Sequence, residues 1–109
     1  SAASDVYKRQ VRAYAGNCRI LLISPIELGN DVWQEGYDPQ FDAGSPAVSR
    51  NLKYTFAKVA RKHGTDILAA SDHAKPSSID CEHLDENGHN ALARAVEDKI
   101  LSIYGRAAS

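Results

Sequence analysis

The apolar positions of this chain fall into two short continuous runs and two helical stripes. Cys18-Arg19-Ile20-Leu21-Leu22-Ile23-Ser24 is a compact run ended by Pro25. A run of that kind suits a strand buried on both faces of a parallel sheet. Ile67-Leu68-Ala69-Ala70 reads as a second short buried strand. Between them Val48, Leu52, Phe56 and Val59 recur at helical spacing and predict an amphipathic helix. Ser45 is its expected N-cap and Pro46 its first helical residue. Arg61, Lys62 and His63 suit the negative end of the helix dipole, and Gly64 stops the helix. A second stripe, Leu92, Val96, Ile100 and Ile103, predicts a final helix with Asp85 as N-cap, Glu86 in its first turn and Gly105 at its end.

Two polar stretches connect these elements. Ile26 to Gly44 holds Gly29, Asn30, Gly36, Asp38 and Pro39, and loops this long are uncommon without a function. Asp72 to Ser78 is a shorter polar loop containing Lys75-Pro76. The order is strand, long loop, helix, strand, loop, helix. That alternation predicts an α/β fold with a parallel sheet. A two-stranded unit is marginal by itself, and the Ile20 to Ile23 run asks for a neighbour beyond its one partner. Residues 11–109 are therefore expected to be the C-terminal portion of one larger domain. An isolated chain is expected to self-associate through the surface left by the missing strands.

Composition changes this picture little. Hydrophobic residues make up 43% and charged residues 25%, ordinary values for a globular domain. A net charge of −1 argues against nucleic acid or an anionic membrane as partner. The longest apolar run, Ile20 to Ile26, is interrupted and too short to span a bilayer. There is no methionine, and Ser1 to Gln10 has neither a clear apolar period nor a secretory pattern. Residues 1–10 are read as a non-native leader. Cys18 and Cys81 are a lone pair rather than a disulfide framework, and both are expected to be buried or half-buried thiols. That usage favours the cytoplasm and leaves the compartment open.

The chemistry concentrates in Asp80-Cys81-Glu82-His83-Leu84-Asp85-Glu86-Asn87-Gly88-His89. A carboxylate three residues before a histidine, in a turn that opens a helix, can reach the imidazole Nδ1 and leave Nε2 free. Histidine titrates near neutral pH and suits general-base work, and an aspartate partner fixes its tautomer and stabilises the imidazolium. Asp80 and His83 are thus a candidate catalytic pair. A bare Asp-x-x-His also serves simply to cap a turn before a helix.

The wider block resembles the last conserved block of the SGNH, or GDSL-type, ester hydrolases. That block reads Asp-x-x-His, usually Leu, a short polar cap, Gly followed by His or Tyr, then the closing helix. Asp80, His83, Leu84, Gly88 and His89 match it, with Ala91, Leu92 and Ala95 on the helix beyond. The upstream order of elements matches too, so the resemblance covers about residues 18 to 104, nearest to the arylesterase and short-acyl esterase branch. It implies a flavodoxin-like three-layer α/β/α fold and a serine esterase acting through an acyl-serine intermediate on a small-molecule ester. No cofactor and no metal are implied. In that fold the loop from Ile26 lies at the carboxyl end of its strand, where α/β sites are built. Pro25, Ile26 and Trp33 are its candidate substrate-binding residues. The same loop, with Tyr37 and Phe41, also reads as a surface loop with its aromatics tucked onto the core, or as a contact for a neighbouring subunit.

The departures are specific. No Gly-Asp-Ser-like nucleophile turn, oxyanion glycine or Gly-x-Asn-Asp block is present. Gly29-Asn30-Asp31 lacks the intervening residue, and Asn30 and Asp31 are read as turn formers. Ser24, Ser45, Ser71, Ser77 and Ser78 sit in no recognisable nucleophile turn. The chain would then hold His and Asp alone and be inactive in isolation. His89 is read as a helix-surface or packing residue, and His63 and His73 as solvated. Two other classes stay open: a non-catalytic α/β interaction domain, and a metal site drawn from Asp80, Cys81, Glu82, His83 and His89. The latter has neither Cys-x-x-Cys nor His-Glu-x-x-His, and its ligands are bunched in one turn.

Overall fold

The structure is a computed structural model that describes residues 6, 7, 9, 10 and 18–108. Residues 6, 7, 9 and 10 are helical and exposed; the rest of the expected leader lies outside the described residues. Two strands, β1 (Leu21–Ser24) and β2 (Asp66–Ala69), pair in parallel with Leu21 opposite Asp66 and Ser24 opposite Ala69. A crossover between them carries helix α1 (Ser45–His63), as a parallel pair requires. A 3-10 turn at Ala70–Asp72 follows β2, and helix α2 (Glu86–Ala108) closes the described chain.

β1 is shorter than the apolar run that announces it, and β2 begins and ends one residue earlier than its run. Pro25 has no N–H to continue the ladder and ends β1. At the other end Arg19 donates to the Asp66 carboxylate at 2.9 Å, and the Asp66 N–H donates to the Ile20 carbonyl at 3.1 Å. In register, Ile23 stands beside Leu68 and Leu22 beside Ile67, and each pair shares one face of the sheet. Leu21 and Ile23 line a hollow with Val96, Ile100 and Ile103 of α2, while Ile67 lines another with Ala57 and Ala60 of α1. The two helices therefore cover opposite faces, and the layers run α/β/α.

The helix ends differ from expectation in two places. Gly44 occupies the N-cap of α1, so Ser45 is already helical and makes no forward cap. Its hydroxyl turns back to accept the Asp42 N–H at 3.0 Å, and Asp42 Oδ1 accepts the Gly44 N–H at 2.8 Å. Gly64 ends α1 at φ 63°, in the left-handed region that glycine enters without strain. Gly105 does not end α2, which runs on to Ala108. One interior glycine costs only about 1 kcal/mol against alanine, too little to break a helix flanked by good formers.

The core holds Val32, Ala60, Leu68, Ala70, Ala74, Cys81 and Ile103. It is thinner than the stripes imply. Val48 is 64% exposed, Ile100 40% and Ile23 41%, so β1 is not buried on both faces. The reason is geometric: among the described residues the sheet has two strands, too few to cover helices of 19 and 23 residues. Cys18 is exposed rather than half-buried. Among the described residues no helix is long and apolar enough to cross a membrane.

Candidate active site

Asp80 organises the turn before α2 with both oxygens of one carboxylate. Its Oδ1 accepts the backbone N–H groups of Glu82 and His83, each at 2.9 Å. Its Oδ2 lies 2.7 Å from His83 Nδ1. An ionised carboxylate only accepts, so Nδ1 carries a proton, and in the neutral ring Nε2 holds the free lone pair. No described residue bonds Nε2, and the His83 side chain is 74% exposed. Two backbone bonds close the turn: Cys81 N–H to the Ser77 carbonyl at 2.8 Å, and Ser77 N–H to the His83 carbonyl at 2.7 Å. Asp85 starts α2 immediately beyond, its Oδ1 accepting the Gly88 N–H at 2.7 Å.

The electrostatics follow from these bonds. The His83 and Glu82 N–H groups, then the imidazole, hold the Asp80 carboxyl down at about 2. The hydrogen bond and charge of Asp80 raise the pKa of His83. Partial burial raises Glu82, with the Asp38 carboxylate beside it as the next cause.

The long loop is built into this turn rather than lying free on the surface. Val32, in its middle, is fully buried, while Trp33 is 46% exposed. Gly29 N–H donates to the Cys81 carbonyl at 2.8 Å. Tyr37 lies beside the Cys81 side chain, which raises the phenol pKa, and Asp38 lies beside Glu82. Cys81 is buried and has a φ of 59°. Sequence reasoning expected Cys81 as a buried thiol but missed its left-handed backbone, and it missed the contacts of Gly29 and Val32. A lone valine after Gly-Asn-Asp was a faint signal for the last two, whereas nothing marks a cysteine for a left-handed backbone.

Asp80 and His83 are brought together; the other candidates are not joined to them. Pro25 is exposed and Ile26 half-buried at the exit of β1, and neither they nor Trp33 bonds the pair. The apolar hollow lined by Leu28, Phe41, Val48 and Leu52 includes neither Asp80 nor His83. Ser24 is completely buried with its hydroxyl unpartnered, and no hydroxyl of the five serines considered above bonds the His83 imidazole. Asn30 and Asp31 form a turn, in which Asn30 accepts from Arg50 at 3.0 Å and Asp31 from the Gln34 side chain at 3.1 Å. His89 and His73 are exposed and His63 is half-buried. Among the described residues no group of three or more His, Cys, Asp or Glu side chains is placed to hold a metal ion.

No family model and no curated protein matches the chain. Solved structures do. One superposes with a TM-score of 0.83 at 31% identity, over 95% of this chain and 49% of that one. Est24, a carbohydrate acetylesterase from Sinorhizobium meliloti, gives a TM-score of 0.65 at 24% identity, over 78% of this chain and 39% of its own. A protein provisionally assigned as an arylesterase, from Agrobacterium tumefaciens str. C58, gives 0.63 at 22% identity with the same coverage. The chain thus spans half or less of the structures it matches. It has a partial α/β fold of the kind found in these esterases, with an aspartate–histidine pair before its last helix.

Proposed function

We propose that this chain is the aspartate–histidine half of an SGNH-type serine ester hydrolase. The observation that carries the reading is the 2.7 Å contact between Asp80 Oδ2 and His83 Nδ1, on a histidine side chain that is 74% exposed. In this reading Nε2 takes the proton of an attacking serine hydroxyl while Asp80 stabilises the imidazolium. The same proton then passes to the leaving alcohol as the ester C–O bond breaks and the acyl-serine forms. Water, deprotonated by the same nitrogen, releases the acid. The serine and the oxyanion donors come from polypeptide outside this sequence. The esterase likeness and the exposed apolar surface of β1 and α2 support that assignment. Short acyl esters are the proposed substrates, with Pro25, Ile26 and Trp33 lining their approach.

The test is to read the source DNA upstream of Val11, express the extended frame and assay p-nitrophenyl acetate and longer esters. The expected result is turnover that the 109-residue chain alone lacks. Asp80→Asn should lower kcat by about 10⁴-fold, as loss of the orienting carboxylate does in a Ser-His-Asp machine. Turnover that survives His83→Ala unchanged would overturn the proposal, as would a start codon immediately before this segment.

A further inference from the structure

The Asp80–His83 turn is held from outside at one residue between its two members. Cys81 has a φ of 59°, which L side chains rarely adopt, so something must over-determine it. Its N–H is taken by Ser77 within the turn, but its carbonyl is taken by Gly29 of the loop, at 2.8 Å. Gly29 is itself anchored. The neighbouring Leu28 N–H donates to Ser49 Oγ on α1 at 2.9 Å, and that buried hydroxyl donates to the Pro46 carbonyl at 2.7 Å. The Gly29 carbonyl accepts the Val32 N–H at 3.1 Å, and Val32 is fully buried.

The approach is too close for any other residue. A Cβ on Gly29 would stand 2.7 Å from Cys81 Cβ, 2.9 Å from its Sγ and 3.2 Å from its Cα. Relief requires Cys81 or the loop to move. The φ of Cys81 sets the direction of the chain from Asp80 to His83, so a shift there opens the Nδ1 contact. We propose that Gly29 is a positioning residue: its missing side chain and its N–H clamp Cys81 in the left-handed conformation and so hold His83 against Asp80. This rests on the ester-hydrolase reading and adds to it a device that ties the base to α1.

The experiment follows the imidazole protons of the intact chain by NMR against pH, with the His83 signal assigned by its loss in His83→Gln. Asp80, Glu82 and Asp38 are the charged groups on this imidazole. In the wild type His83 should titrate above an ordinary histidine. Gly29→Ala should bring it down towards the ordinary value. The double variant Gly29→Ala/Cys81→Gly should restore it, because glycine removes both atoms closest to the new methyl and accepts the positive φ. Leu68→Ala weakens the core away from the turn and should leave the titration where it is. A folded Gly29→Ala chain with wild-type titration would refute the proposal. So would a double variant that fails to fold or to restore the raised value. Asp80→Asn separates this from the reading beneath it: if that variant leaves His83 unmoved, the pair itself is wrong, whereas a response to Asp80→Asn without one to Gly29→Ala removes only the role of Gly29.

Discussion

Val32→Ala tests whether the long loop is part of the folded core. Val32 is fully buried although its neighbours Asn30, Asp31, Trp33 and Gln34 are exposed. Truncation removes two methyl groups from that position. At about 0.8 kcal/mol per buried carbon the transfer cost is roughly 1.6 kcal/mol. A residual cavity adds to this where the surroundings cannot collapse. Here they are restrained, because the Val32 N–H is bonded to Gly29 and Gly29 to Cys81. The total expected is about 2–3 kcal/mol. In a domain near this size each 1 kcal/mol moves Tm by about 4–8 °C, so the midpoint should fall by roughly 10–20 °C. Thermal unfolding followed by circular dichroism measures it, and a urea titration with unchanged slope shows that the effect is on stability. Glu35→Ala, an exposed change in the same loop, should stay within about 0.5 kcal/mol of wild type. If Val32→Ala also stays within that margin, the loop is a surface ribbon and its role in holding the turn fails with it.

Two further outcomes are expected. Asp85→Ala should cost about 1 kcal/mol by removing the N-cap of α2, with amide exchange rising first at Gly88; unchanged protection there would count against the cap. The Asp80–His83 ion pair should give a pH-dependent difference in urea midpoint between wild type and Asp80→Asn. Asp80 is depressed from 3.8 to about 2, so its contribution is present above 3.8 and lost as pH falls towards 2. His83 is raised, so its contribution is full below its ordinary 6.5 and lost as pH rises through the folded value. The difference should therefore be greatest between pH 3.8 and 6.5, and small because both groups are largely exposed and screened by salt. A difference that is flat across pH 2 to 9 would contradict the pairing.

The order of elements was written locally. Continuous apolar runs, 3.6-residue stripes and stop residues such as Gly64 act through the nearest few positions, so β1, α1, β2 and α2 were legible in place. Asp80 and His83 were legible for the same reason, since three residues of separation within one turn need no distant part of the chain. Helix ends were legible less well: Ser45 can bond forward or back, and only Asp42 decided which way.

What the tertiary structure decided depends on segments far apart in sequence. That Val32 is buried, that Gly29 touches Cys81, and that Cys81 holds a left-handed backbone all follow from folding the long loop onto the turn before α2. No local propensity predicts a cysteine at positive φ, because the energy that holds it there comes from contacts made elsewhere. Sequence pattern alone picked out Asp80 and His83 as a pair, because their contact lies within one turn; the contacts that the long loop makes with that turn depended on its packing.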